Sequence, residues 1–148
     1  MKPRFHTLAD AAHTLRAFSR DQRAAVLEAS LVLPAAELGL RLVGLRRTWD
    51  VLCAGAPGSR EDVPAAQAIG RAVQGAARWS PARPRCLARS LVLCRLLRRR
   101  GIAGVLRIGV ASPGRDFEAH AWVEVAGQPV GDSIAGVERF TAFEHPAP

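Results

Sequence analysis

The stretch CLARSLVLCRLLRRRG, residues 86–101, decides the architecture. On a helix turning about 100° per residue, Cys86, Leu87, Leu91, Val92, Leu93, Cys94, Leu96 and Leu97 cover most of the circumference. Ala88, Arg95 and Arg99 leave only a narrow polar stripe. A helix apolar on nearly every side is a buried one. Gly101 supplies its stop signal. The run Arg98-Arg99-Arg100 falls in the last turn, where cations complement the helix dipole, and reads as a solvated end.

Working downstream, GVLRIGVA (104–111) is a strand by its aliphatic content, and SPGRD (112–116) is a turn. EAHAWVEV (118–125) alternates, with His120, Trp122 and Glu124 on one face and Ala119, Ala121, Val123 and Val125 on the other. QPVGD (128–132) makes a short third strand. Upstream the pattern is helical. Leu8, Ala11, Ala12, Leu15 and Phe18 share one face. Ser19 with Gln22 resembles a capping box opening a helix that should end near Pro34, and Leu38, Leu42, Leu45 and Trp49 form a third stripe. AGAPGSRED (54–62) is a loop, after which Asp62 and Pro64 start a helix through Ile69, Val73 and Ala77. SPARPR (80–85) is an extended loop. Helices, then a buried helix, then an antiparallel sheet define the α+β class.

Register decides what His120 faces, because a slip of one residue reverses every side chain. With Ala126-Gly127 as a two-residue loop, Asp132 falls opposite Ala121, on the wrong face. With Val125-Ala126-Gly127 as a three-residue loop and Gly127 left-handed, Trp122 pairs Val130 and His120 pairs Asp132. Directly opposed Cβ atoms lie about 5 Å apart, within reach of a carboxylate–imidazole contact. Glu124 lies roughly 13 Å along the strand from His120 and is a poor partner for it. The sequence thus predicts the three-residue loop.

A histidine oriented by a carboxylate is the base of a nucleophile–base–orienter set. Cys86 fits the missing place: it follows a proline-rich loop and begins the buried helix, where N–H groups and dipole favour negative charge on sulfur. Arg83, Arg85 and Arg89 add positive charge nearby, and the Cys86 backbone N–H can face an oxyanion; spacing names no second oxyanion donor. Each residue alone is more often structural: cysteine is a common core residue, and a single strand histidine usually packs. Their order along the chain favours catalysis. Cys94 and Cys53 read as core, and His6, His13 and His145 have no visible partner. Trp122 shares the His120 face and either walls the site as a substrate-binding residue or packs on the buried helix.

Composition narrows the function classes. The 148 residues are 49% hydrophobic, as in a globular domain. The net charge of +8 rests on 20 arginines and the single Lys2, a bias that partly reflects a GC-rich coding sequence and so weakens any nucleic-acid argument. Phe and Trp total 5% with no Tyr, so stacking on bases is poorly supplied. Asp10 and two histidines interrupt any secretory signal near the N-terminus. Glu28, Pro34, Glu37 and Arg41 break the most apolar stretch (24–45), excluding a membrane span while leaving peripheral membrane contact open. Three cysteines fit neither a disulfide framework nor a metal site and suit a reducing cytoplasm.

The run CLARSLVLCRLLRRRGIAGVLRIGV followed by AHAWVEVAGQPVGD resembles the transglutaminase-like cysteine-protease superfamily, and within it the leader peptidases of lasso-peptide biosynthesis. The resemblance covers residues 64–148 and implies a papain-like core over 63–148 behind an N-terminal helical region, 1–62. It also implies Cys86 as nucleophile, His120 as base and Asp132 as orienter. The implied reaction is hydrolysis of one bond between leader and core of a ribosomally made precursor, before a partner cyclase closes a macrolactam. Implied partners are the precursor leader peptide, a leader-recognition protein and the lasso cyclase, with no nucleic acid. No cofactor or metal is expected, and no phosphate-cradling glycine loop is present for ATP. Two other readings share these residues: acyl transfer to an amine by the same triad, and a basic, non-catalytic binding module.

Overall fold

A computed structural model of the protein describes residues 18–111 and 118–143. The expected helix through Leu8 to Leu15, the turn at 112–116, and His6, His13 and His145 lie outside the described residues.

Helix α1 (Arg20–Leu42) opens with the capping box: the Gln22 N–H donates to Ser19 Oγ (3.2 Å) and the Ser19 N–H to Gln22 Oε1 (2.9 Å). It does not end at Pro34 as expected but runs through it. Pro34 sits on the exposed side, where it disturbs no buried packing, while Leu33 and Ala36 beside it are fully buried. The inward face is Ala25, Ala29, Leu33 and Ala36, in which three alanines let α1 approach its neighbours closely around the one buried leucine. Leu38 and Leu42 fall on the other side and are 56% and 72% exposed, contrary to the buried stripe expected of them. Gly44, at φ +81°, turns the chain into α2 (Gly44–Leu52), which half-buries Leu45 and Trp49.

Helix α3 (Val63–Trp79) starts as the sequence predicts, with the Ala65 N–H donating to Asp62 Oδ1 at 3.0 Å and Pro64 in the first turn. Helix α4 (Cys86–Arg99) is the buried one. Ala88 is fully buried, so the polar stripe is narrower than expected and consists of Arg95 and Arg99. The arginine run is solvated only in part: Arg99 is exposed, while Arg98 and Arg100 are half-buried. Arg98 donates to the Cys53 carbonyl (2.6 Å) and lies over the Trp49 ring, while Arg99 and Arg100 reach Glu28 at 2.8 and 3.5 Å. These guanidiniums strap α4 to α1 and α2.

A four-stranded antiparallel sheet follows, in the order β3-β2-β1-β4, from β1 (Val105–Ala111), β2 (Ala119–Val125), β3 (Gln128–Val130) and β4 (Phe140–Ala142). Ala121, Val123 and Val125 join α4, α3 and α1 in one core, as the alternation predicts. The opposite face carries a smaller cluster of Trp122, Val137 and Phe140. Its last two members belong to β4 and to a short helix, α5 (Ile134–Val137), elements that the sequence pattern did not announce. The order of layers is the expected α+β arrangement. No helix among the described residues is long and apolar enough to cross a membrane.

One hydrogen bond locks helix to sheet. Buried Ser90, one turn into α4, donates through Oγ to the Ala121 carbonyl in β2 at 2.9 Å. Replacing Ser90 by Ala leaves that carbonyl unsatisfied in the core. We expect Ser90→Ala to lose about 1–3 kcal/mol of unfolding free energy. In urea titration the midpoint falls while the slope stays constant; an unchanged midpoint would show that the bond carries no weight.

Candidate active site

The hairpin uses the two-residue loop, not the three-residue one. Val125 pairs Gln128, Glu124 pairs Pro129 and Val123 pairs Val130. Ala126 and Gly127 both have positive φ (50° and 72°), the signature of a tight hairpin turn twisted to match its strands. Continued regularly, this register would place Asp132 opposite Ala121, facing away from the imidazole. The strand, however, ends at Val130. Gly131, at φ +79°, swings the chain out of the sheet, and Asp132 Oδ2 comes to 3.3 Å from His120 Nε2. The expected contact forms through a different backbone path.

Helix α3 holds that turn in place. Gln67 donates from Nε2 to the Pro129 carbonyl (2.8 Å) and accepts the Gly131 N–H at Oε1 (3.3 Å). Beneath it, Gly70 presses on the turn so closely that a Cβ there would stand 2.9 Å from Gly131 Cα. Two glycines thus meet where the Asp132 carboxylate is turned towards His120.

His120 is fixed from behind. Its ring stacks on Phe140 (5.1 Å between centroids) and on Trp122 (6.0 Å, planes 14° apart). Trp122 itself is buried on the sheet face away from α4, and its indole N–H donates to Glu124 Oε1 at 2.9 Å. It backs the imidazole and is not among the residues lining the cleft. Glu124 also accepts from Arg107 Nε (3.0 Å), which commits it away from His120.

Cys86 stands at the first position of α4, half-buried. Together with His120, Asp132, Gln74, Arg89 and Ser90 it lines one small cleft, with room for about one water molecule. No hydrogen bond joins Cys86 Sγ to the ring in this closed arrangement. With Nε2 engaged by the carboxylate, Nδ1 is the nitrogen left to accept a proton from the thiol. The Cys86 and Leu87 N–H groups lie in the first turn, where no intrahelical acceptor exists. The preceding Arg85 N–H is taken by Glu37 Oε2 at 3.2 Å. Buried Glu37 also pairs with Arg41 (3.0 Å) and approaches Arg85 Nε (3.8 Å), so the Arg85 charge expected near the sulfur is turned towards α1. Glu37, Gln67 and Ser90 escaped the sequence reading. Their only signal was polarity at otherwise apolar helix positions.

The remaining cysteines are structural, as expected. Cys53 is buried, and burial raises its thiol pKa to about 11. Desolvation pushes Cys94 up further, with nearby Cys53 adding to it.

Over residues 29–144 the chain matches the sequence profile of the transglutaminase-like superfamily. It belongs to the transglutaminase-like superfamily. Members are typically cysteine-dependent enzymes, cysteine peptidases and acyltransferases among them. No curated protein and no solved structure matches the chain. The transglutaminase-like match begins within α1, so the helices before residue 63 are partly inside it.

Two outcomes follow from this geometry. Iodoacetamide at neutral pH should place one adduct per chain, on Cys86, and reach Cys53 and Cys94 only after unfolding; early labelling of either buried thiol contradicts the assigned burial. Because folding raises the pKa of Cys53, its contribution to stability is intact below 9.0 and is lost as pH climbs towards about 11. Separately, Gly70→Ala should cost about 1–3 kcal/mol through the clash with Gly131. It should depress turnover more than Gly75→Ala, where a Cβ meets nothing within 4 Å.

Proposed function

We propose that the protein is a cysteine peptidase that removes the leader from a ribosomally synthesised lasso-peptide precursor, ahead of macrolactam closure by a partner cyclase. The observation that carries this reading is the Asp132–His120 contact opening onto the same cleft as the helix-start Cys86. The motif order CLARSL, LRIGV, AHAWVEV supports the specific substrate.

In this reading His120 Nδ1 takes the Cys86 proton, and Asp132 at Nε2 stabilises the imidazolium. The sulfur attacks the last leader carbonyl, and its oxygen collects negative charge facing the free N–H of Cys86. The C–N bond breaks as imidazolium protonates the departing core amine. Water, deprotonated by His120, then attacks the thioester, releasing the leader carboxylate and restoring the thiol. The 3.3 Å contact is long for a charge-assisted hydrogen bond, so it has room to shorten as the ring becomes charged.

The cleft holds little more than a water, and no bond yet joins sulfur and ring, which supports dependence on a leader-recognition protein that seats the substrate. The three free cysteines suit the reducing cytoplasm in which such a pathway would run. Peripheral membrane contact is no part of the mechanism.

The test is processing of the precursor, with and without the recognition partner, followed by product mass. Hydrolysis adds one water across leader and core, whereas acyl transfer joins an amine and adds none. Cys86→Ala should abolish cleavage with the fold intact, and Asp132→Asn should lower the rate by roughly 10²–10⁴. Undiminished processing by Cys86→Ala would remove Cys86 as the nucleophile, and no processing by the unaltered protein with its partner would leave the binding module.

A further inference from the structure

Beside the catalytic cleft lies a wider, open groove of about 420 Å³. The two share Gln74 and Arg89 as a common wall. Arg78 and Arg83 stand on the far side of the groove, with Ser80 between them in the chain. Three guanidiniums therefore surround a space that no carboxylate lines. Arg78 and Arg83 form no ion pair among the described residues and are exposed, unlike Arg95, Arg99 and Arg100, which share Glu28.

The construction is specific. Arg83 holds a left-handed backbone (φ 45°), a strained setting for a side chain, closed by its N–H to the Ser80 carbonyl at 3.2 Å. Arg89 donates through Nη1 to Gln74 Oε1 (2.9 Å), which fixes the guanidinium at the junction of cleft and groove. Its Nε, and the hydroxyl of Ser80, are buried with no hydrogen-bond partner. Mutually repelling cations are a standing cost that a bound carboxylate relieves.

We propose that this groove is a specificity subsite that accepts an acidic side chain of the peptide substrate, close to the scissile bond. The inference rests on the peptidase reading of the Cys86 cleft. A chain with its carbonyl at Cys86 must leave the cleft, and the groove sharing Gln74 and Arg89 is a continuous way out. Guanidiniums bind carboxylates in fork geometry, which gives selectivity for Asp or Glu over their amides. No aromatic residue lines the groove, so stacked nucleobases find no platform there.

The test labels Cys86 with paired electrophiles and needs no turnover. Peptide chloromethyl ketones place residues on the acyl side, and N-chloroacetyl peptides place them on the amine side. Each is made with Glu or with Gln at the two positions nearest the reactive carbon, where Cys86 displaces chloride. In one series the Glu probe should label about tenfold faster than its Gln partner at low salt. Arg78→Gln with Arg83→Gln should reduce that ratio to below about twofold, while Arg46→Gln with Arg47→Gln, an equal change of charge elsewhere, should leave it standing. Equal Glu and Gln rates in both series, a preference that survives the Arg78/Arg83 change, or failure of every probe to label Cys86 overturns the proposal. Equal labelling of a protein that still cleaves precursor removes the subsite and spares the peptidase. Glu-selective labelling without cleavage does the reverse.

Discussion

The seating of buried helix α4 on strand β2 is the constraint from which the candidate site follows. Ser90 lies four residues after Cys86 and binds the carbonyl of Ala121, which adjoins His120. One hydrogen bond therefore fixes the separation of a sulfur at the helix start from an imidazole on the strand. Rotating α4 by a single residue would carry Cys86 about 100° around the axis, away from the cleft. Slipping β2 by one residue would send His120 into the core and Ala121 to the outer face. Burial on all sides of α4 opposes the first change, and the apolar row Ala121, Val123, Val125 opposes the second. The same packing that stabilises the domain also positions its reactive groups.

The carboxylate is placed by different means. A tight two-residue turn is the favoured hairpin closure, but alone it would aim Asp132 away from the ring. The chain resolves the conflict by ending the strand at Val130 and reversing the face at Gly131. That bend is not held by the sheet. Helix α3 supplies the clamp, through Gln67 to Pro129 and Gly131 and through the close approach of Gly70. Three layers thus converge: α4 gives sulfur, β2 gives imidazole, and α3 sets the carboxylate.

What could be read in advance divides along physical lines. Periodicity revealed α3, α4 and β2, because each buries a regular face and regular faces leave regular patterns, while β1 showed through its aliphatic content. The Ser19 and Asp62 caps were legible as local chemistry between neighbours. The His120–Asp132 pairing was inferred through a wrong register and a right partner, since sequence spacing cannot show a left-handed glycine overriding the ladder. The continuation of α1 through Pro34 was hidden because tertiary burial outweighed a local breaker. Leu38 and Leu42 misled for a related reason: Ala25, Ala29 and Ala36 with Leu33 face the neighbouring helices, on another side of α1. Elements α5 and β4 are too short to carry a period. Glu37, Gln67 and Ser90 act at long range, and no local rule marks a polar residue whose partner lies dozens of positions away.

The charge distribution gives the arrangement its last consistent feature. A net charge of +8 suggests a diffuse basic surface, yet many of the arginines are paired. Arg95, Arg99 and Arg100 gather on Glu28, Arg41 and Arg85 on Glu37, and Arg98 on backbone carbonyls at the end of α2. Guanidiniums suit this work, from half-buried Arg95 and Arg100 to exposed Arg41, Arg85 and Arg99, because their planar donors satisfy several acceptors while staying charged. Arg78 and Arg83 have no such employment, and they stand together beside the cleft. Meanwhile Glu37 places a buried negative charge just ahead of Cys86, where it satisfies the helix N-terminus and occupies the Arg85 amide. Left without an intrahelical acceptor in that first turn are the amides of Cys86, Leu87 and Ala88. The carboxylate thus narrows the anion-binding capacity of the helix start to the position beside the sulfur, where a developing oxyanion would lie.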